Sequence, residues 1–132
     1  MPIKGLKAGV LLSLFASIII ALIAALHLYI AWFEMFAWTS RGPKVFRQFP
    51  KDLFEPTKAL AANQGLYNAF LAVGLIWPFM IEDPIWQQNI ALMFLAFVVA
   101  AGVFGALTAS RKILYVQAIP AGIAILLLFL KI

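Results

Sequence analysis

Four long apolar runs alternate with short polar stretches along the 132-residue chain. An α-helix rises about 1.5 Å per residue, so roughly 20 apolar residues cross a ~30 Å hydrocarbon layer. The runs predict membrane helices at about 8–36, 59–80, 88–109 and 113–130. The fold class expected is all-α, a four-transmembrane-helix bundle forming one integral membrane domain over residues 1–132. The first run opens after Lys4 and Lys7, as a secretory signal would, but it stays free of charge from Ala8 to Phe33. That is longer than a signal core, so the segment is read as a retained helix. A helix this long, over ~40 Å, must tilt or project beyond the hydrocarbon.

The polar exceptions inside these runs are few and grouped. The single histidine, His27, and an acid, Glu34, share one helical stripe with Ala31 and Trp38 at about 100° per residue. The second run opens near Thr57, a candidate N-cap, and carries Asn63, Gln64, Tyr67 and Asn68 within its first three turns. Helices one and two are sequence neighbours and hence antiparallel, so depth can be counted inward from Trp38 and Lys58. Glu34 then lies about 6 Å in and His27 about 16 Å, against about 8 Å for Asn63 and Gln64 and about 15 Å for Asn68. Glu34 is therefore expected beside Asn63 and Gln64, and His27 beside Asn68. Later in the chain Gly102 and Gly105 allow close helix contact. Thr108 and Gln117 add polar groups at the same inner level, and Pro120 is expected to kink helix four.

Composition agrees with a lipid solvent, since 65% of residues are hydrophobic and 11% charged. Charge sets the expected orientation: Arg41, Lys44, Arg47, Lys51 and Lys58 lie in the first loop and Arg111 and Lys112 in the third, against Lys4, Lys7 and Lys131 opposite. Basic loops stay cytoplasmic, which puts the N- and C-termini on the outer side. The net charge of +5 reflects this bias and attraction to anionic lipid, and no soluble basic domain points to nucleic acid. The absence of cysteine and the single histidine leave no metal site to propose. Trp32 and Trp38 near one boundary, with Trp77 and Trp86 near the other, match interfacial anchoring. The first loop, 39–50, holds turn breakers at Gly42-Pro43 and Pro50; Phe46 and Phe49, with Leu53 and Phe54 after them, fit either a cap on the bundle in the headgroup layer or a plain connector.

Three stretches carry a resemblance: His27-Leu-Tyr-Ile with Glu34-Met-Phe-Ala-Trp38-Thr, then Thr57-Lys-Ala-Leu-Ala-Ala-Asn63-Gln-Gly-Leu-Tyr67-Asn68, then Lys112-Ile-Leu with Gln117 and Pro120. Together they resemble domain-of-unknown-function family 1304, small bacterial integral membrane proteins, over nearly the whole chain. The resemblance implies four helices and a multi-pass location in the bacterial inner membrane, with no activity to carry over. The layout is also similar to the MAPEG family, although the Arg-x-x-x-Asn-x-x-Glu pattern of that family is absent here. A homo-oligomer, dimer or trimer, stays open.

Polar residues in hydrocarbon are costly, about 2.5–3.5 kcal/mol each when charged at the centre, and mark sites. The functional expectation is a polar site in the cytoplasmic half that binds or acts on a lipophilic small molecule among membrane lipids. His27 and Glu34 would move a proton, and Trp38, Asn63, Gln64, Tyr67, Asn68 and Gln117 would hold the ligand. Two other classes compete. One is a small proton-coupled transporter using Glu34, and the other a structural or accessory membrane subunit in which the polar groups only fasten helices.

Overall fold

A computed structural model describes residues 12–132. Lys4, Lys7 and the first residues of the run expected from about 8 lie outside the described residues. Among the described residues all regular structure is helical: α1 spans Leu14–Phe36, α2 Trp38–Val45, α3 Lys58–Ile76, α4 Pro84–Thr108 and α5 Ile119–Leu130. Leu14–Phe36, Lys58–Met80 and Pro84–Thr108 are long and apolar enough to cross a membrane, while Leu114–Leu130 is a shorter apolar helix. The chain divides into two compact units. Among the described residues one joins 12–24 with Val73–Ile132, and the other is Ala25–Ala72.

In the first unit the chain after α3 tightens into a 3-10 turn, Trp77–Met80, that contains Pro78. Proline supplies a fixed φ and no donor, which suits a short tight turn. Asp83 then caps α4 by accepting the Trp86 N–H at 3.0 Å, with Pro84 at the first helical position. This cap starts α4 about four residues earlier than the apolar run indicated, because Asp83-Pro84 initiates the helix although neither residue is apolar. Gln87 is 5% exposed and donates from Nε2 to the Pro78 carbonyl at 2.9 Å, which clamps the turn to α4. Its Oε1 is buried with no hydrogen-bond partner among the described residues.

The buried side of α4 runs Gln87, Ile90, Ala91, Leu95, Val98, Gly102, the three-and-four spacing of one helical face. Gly102 lies against the backbone of Ala118, where an added Cβ would fall 2.7 Å from the Ala118 nitrogen. Ala118 closes a π-turn, Leu114–Ala118, and the Ile119 N–H reaches back to the Leu114 carbonyl. The irregularity expected at Pro120 thus takes the form of an extra residue in the turn just before it. A widened turn of this kind is a recognised cause of helix irregularity. α5 buries Ala121, Ala124 and Leu128 and ends at Lys131, whose φ of 60° is left-handed. The Ser13 hydroxyl donates to the Ile132 carbonyl in the same unit.

In the second unit α1 bends at Ala37, with φ −127° and ψ 12°, and the chain re-forms as α2. The stretch 39–50 is expected as a loop, and its first part is helical instead. Gly42-Pro43 does not prevent the helix, because Pro43 is its sixth residue and removes one hydrogen bond, that to Thr39, shortly before the end. The Phe46 N–H closes on the Gly42 carbonyl at 2.8 Å. A 3-10 turn, Lys51–Leu53, follows Pro50 and leads into α3.

Gly102→Ala is expected to lose about 1–3 kcal/mol, because a methyl there meets backbone that cannot rotate away. Gly122, which has nothing within 4 Å of its would-be Cβ, is the control. Gly122→Ala should be neutral or gain up to about 1 kcal/mol from helix propensity. Melting temperatures of the two variants in detergent separate the outcomes.

Candidate functional site

The site lies in the Ala25–Ala72 unit, where one stripe of α1 meets one stripe of α3. On α1 the stripe is His27, Ala31 and Glu34, with His27 0% and Ala31 5% exposed. On α3 it is Ala61, Gly65 and Asn68, all buried. Both use spacings of four and three, the repeat of a helix face. Gly65 sets the approach: a Cβ there would stand 2.7 Å from Met35 Cγ, 2.9 Å from the Ala31 carbonyl oxygen and 3.0 Å from Glu34 Cβ. Small residues at such a crossing let backbones come close enough for short side chains to bridge them.

Asn68 makes that bridge. Its Nδ2 donates to Glu34 Oε1 at 2.6 Å and to the Gln64 carbonyl, one turn back, at 3.2 Å. Both amide protons are thereby used. Glu34 is half-buried and has no ion pair among the described residues.

The pairing differs from the depth count, which matched Glu34 with Asn63 and Gln64. Side chains on a helix lean toward its N-terminus. α1 and α3 are antiparallel, so Glu34 leans away from the α1–α2 end while Asn68 leans toward it, and the two meet between their Cα levels. His27 lies seven residues from Glu34, roughly 10 Å along the axis, so the two groups act at different levels of one stripe.

The other expected site residues go elsewhere. Asn63, Gln64 and Tyr67 are exposed, and the Tyr67 ring rests on Phe70 at a centroid distance of 6.0 Å. Of these, Gln64 enters the bridge through its backbone alone. Gln117 belongs to the other unit, half-buried on the π-turn. Thr108 is exposed and returns its hydroxyl to the Phe104 carbonyl of its own helix at 2.7 Å.

Trp38 is held inside an aromatic cluster. Its Nε1 donates to Thr57 Oγ1 at 2.9 Å, and that hydroxyl donates to the Leu53 carbonyl at 2.6 Å. Phe33, Phe46, Phe49 and Phe54 surround the indole at centroid distances of 5.1–6.1 Å. Phe54 is 2% exposed, so the segment between α1 and α3 owns a small core. Thr57, expected as a cap, thus links Trp38 to the chain entering α3. On the outside of the cluster the Arg41 guanidinium stands 5.9 Å from the Trp32 ring and reaches the Tyr29 hydroxyl at 3.5 Å.

Sequence reasoning passed over Gly65, the residue on which the bridge depends. Its signal was the Ala61-x-x-x-Gly65 spacing, which sits on the same face as Asn68. Among the described residues no group of three or more His, Asp or Glu side chains is placed to hold a metal ion.

Comparison with known proteins bears on the whole chain. No solved structure matches it. The uncharacterized protein YpaA of Lactococcus lactis subsp. lactis (strain IL1403) is 32% identical over 115 residues, covering 85% of this chain and 92% of YpaA. Residues 21–129 match the family described as "Protein of unknown function (DUF1304)", a span that contains every residue of the Glu34–Asn68 bridge and its helices from the third turn of α1 onward. On that match and that relative, the chain belongs to the DUF1304 family.

Proposed function

We propose that this is a multi-pass protein of the bacterial inner membrane with a polar site in the cytoplasmic half, where Glu34, Asn68 and His27 bind or act on a lipophilic small molecule. Leu114–Leu130 serves as a fourth span beside the three longer ones; at 17 residues it reaches about 26 Å, the lower end of what crosses a bilayer. Both termini face outward, and membrane lipid surrounds a dimer or trimer.

The observation that carries this reading is the 2.6 Å bond between the Asn68 amide and the Glu34 carboxylate, with no cationic side chain neutralising the acid among the described residues. A carboxylate that served helix packing alone would be an expensive choice, because an amide or hydroxyl fastens helices without a charge to desolvate. A carboxylate that takes up a proton or faces a ligand has a reason to be there. Asn68 holds one of its oxygens in place, which leaves the other for a ligand or a proton.

Glu34→Gln keeps an oxygen acceptor for Asn68 and removes the charge. It should therefore melt within about 2 °C of the wild type, since interhelical hydrogen bonds average only ~0.6 kcal/mol. It should also lose at least about tenfold in affinity for the lipophilic compounds that co-purify with the wild type, about 1.4 kcal/mol. His27→Gln is measured beside it. Variants that melt lower yet retain their co-purified compounds would show that the polar groups only fasten helices, and the proposal would fall.

Orientation is checked separately in intact cells. With no native cysteine to interfere, a single cysteine at Ser40 should resist a membrane-impermeant thiol reagent, while one at Gln88 should react. Labelling of the Ser40 position from outside would reverse the topology.

A further inference from the structure

Besides the stripe that meets α1, α3 carries a second polar arc, and this one faces outward from the Ala25–Ala72 unit. Leu60, Asn63, Gln64, Tyr67 and Phe70 are all exposed. At 100° per residue they fall within about 120° of one another. Residues 60, 63, 67 and 70 follow spacings of three, four and three, the repeat of a seam between two helices. Leu66, Val73 and Ile76 are exposed as well, but they occupy a separate arc about 80° wide. From Ala62 to Ile76 that side of the helix carries only apolar side chains, as lipid requires. The exposed surface of α3 is thus sorted by direction, and its polar groups share one side.

Neither the Asn63 nor the Gln64 amide has a hydrogen-bond partner among the described residues, and the Tyr67 hydroxyl has none there either. Counted from Lys58, the two amides lie about 8 Å and Tyr67 about 14 Å along the helix. Within a span, polar groups at such depths need partners. Headgroups surround a helix on every side and would not sort its polar residues by direction, whereas a protein surface would. The arc holds no charged side chain, so an ionic partner gains nothing from it. An amide carries donors and an acceptor together, so an identical surface at the same depth satisfies it. Two copies of the chain inserted in the same direction meet this condition, because a two-fold axis along the membrane normal sets each residue of the arc opposite its own counterpart. We propose that this arc of α3 is the face on which a second copy of the chain docks, giving a parallel dimer held by amide-to-amide hydrogen bonds across the axis. A face that meets itself closes at two copies, which selects the dimer over the trimer. The dimer rests on α3 spanning a membrane and is independent of what Glu34 binds.

The chain has no cysteine, so single cysteines report the seam. Tyr67→Cys and Leu66→Cys are introduced separately into the full-length protein, expressed at low level, and the isolated membranes are oxidised with copper phenanthroline. The two positions have nearly equal depth and point about 100° apart. Tyr67→Cys should cross-link to a species of twice the mass, and Leu66→Cys should stay single. The double variant Asn63→Leu with Gln64→Leu changes two exposed residues that make no bond within the described chain, so it should melt like the wild type in detergent. In lipid vesicles it should self-associate at least about fivefold more weakly, as the loss of two interhelical hydrogen bonds requires. Energy transfer between labelled copies, followed on dilution with lipid, reads that change.

A Tyr67→Cys chain that stays single would overturn the proposal, as would equal cross-linking at the two positions or undiminished association of the double variant. A cross-link from Tyr67→Cys to a protein of another mass would overturn it too, and would give the arc to a different partner. Alkaline carbonate extraction separates the two levels of failure. A chain released by carbonate would overturn the membrane span and the dimer together, while a retained chain that stays single overturns the dimer alone. Glu34→Gln should leave the cross-link unchanged, so ligand binding and dimer formation are read independently.

Discussion

The approach of α3 to α1 at Gly65 governs the geometry of the Ala25–Ala72 unit. An asparagine side chain is short, and it bridges two helices only where the backbones nearly touch. With no side chain at Gly65, α3 comes up against the Ala31 carbonyl of α1 at the crossing, and the Asn68 amide comes within 2.6 Å of Glu34 Oε1. A methyl at residue 65 would push against the Ala31 carbonyl, which is backbone and cannot move aside alone. The hydrogen bond is thus a consequence of packing, and its loss would follow from any change that widened the crossing.

Where water is scarce each polar group must find its partner in the protein. The arrangement around Asn68 meets that demand economically. One amide proton goes to the carboxylate and the other to a carbonyl of its own helix, so the side chain cannot rotate without breaking two bonds. The carboxylate itself is less fully engaged. This asymmetry, a fixed donor and an acid with capacity to spare, is what makes Glu34 the reactive end of the pair in the function proposed.

The segment that joins α1 to α3 follows a different logic. Its basic residues are on the surface, while Phe54 is buried and Phe46, Phe49 and Trp38 pack around it and one another through tilted and edge-to-face ring contacts. Such aromatic contacts add about 0.5–1.5 kcal/mol each beyond the area they bury. They explain why α2 forms in spite of Gly42-Pro43: the aromatic core and the Trp38–Thr57 bond favour a compact path, and one missing backbone bond near the end of a short helix is a smaller loss. Short-range breaker signals describe the chain in isolation, whereas this segment answers to its contacts.

Hydrophobic run length determined the positions of the long apolar helices, because helix length and residue polarity are properties of consecutive residues. The stripe shared by His27, Ala31 and Glu34 was legible for the same reason, since one period places them on one side. So was the inward half of α3 at Asn68. The partner of each polar group was not legible: the depth count treats side chains as points on an axis, while real ones lean toward the helix N-terminus, and that lean moved Glu34 from Asn63 and Gln64 to Asn68. Nor could run length reveal α2, the early start of α4 at Asp83-Pro84, or the π-turn before Pro120. The first depends on aromatic packing between residues far apart in sequence, and the other two on hydrogen bonds that an apolar count does not see.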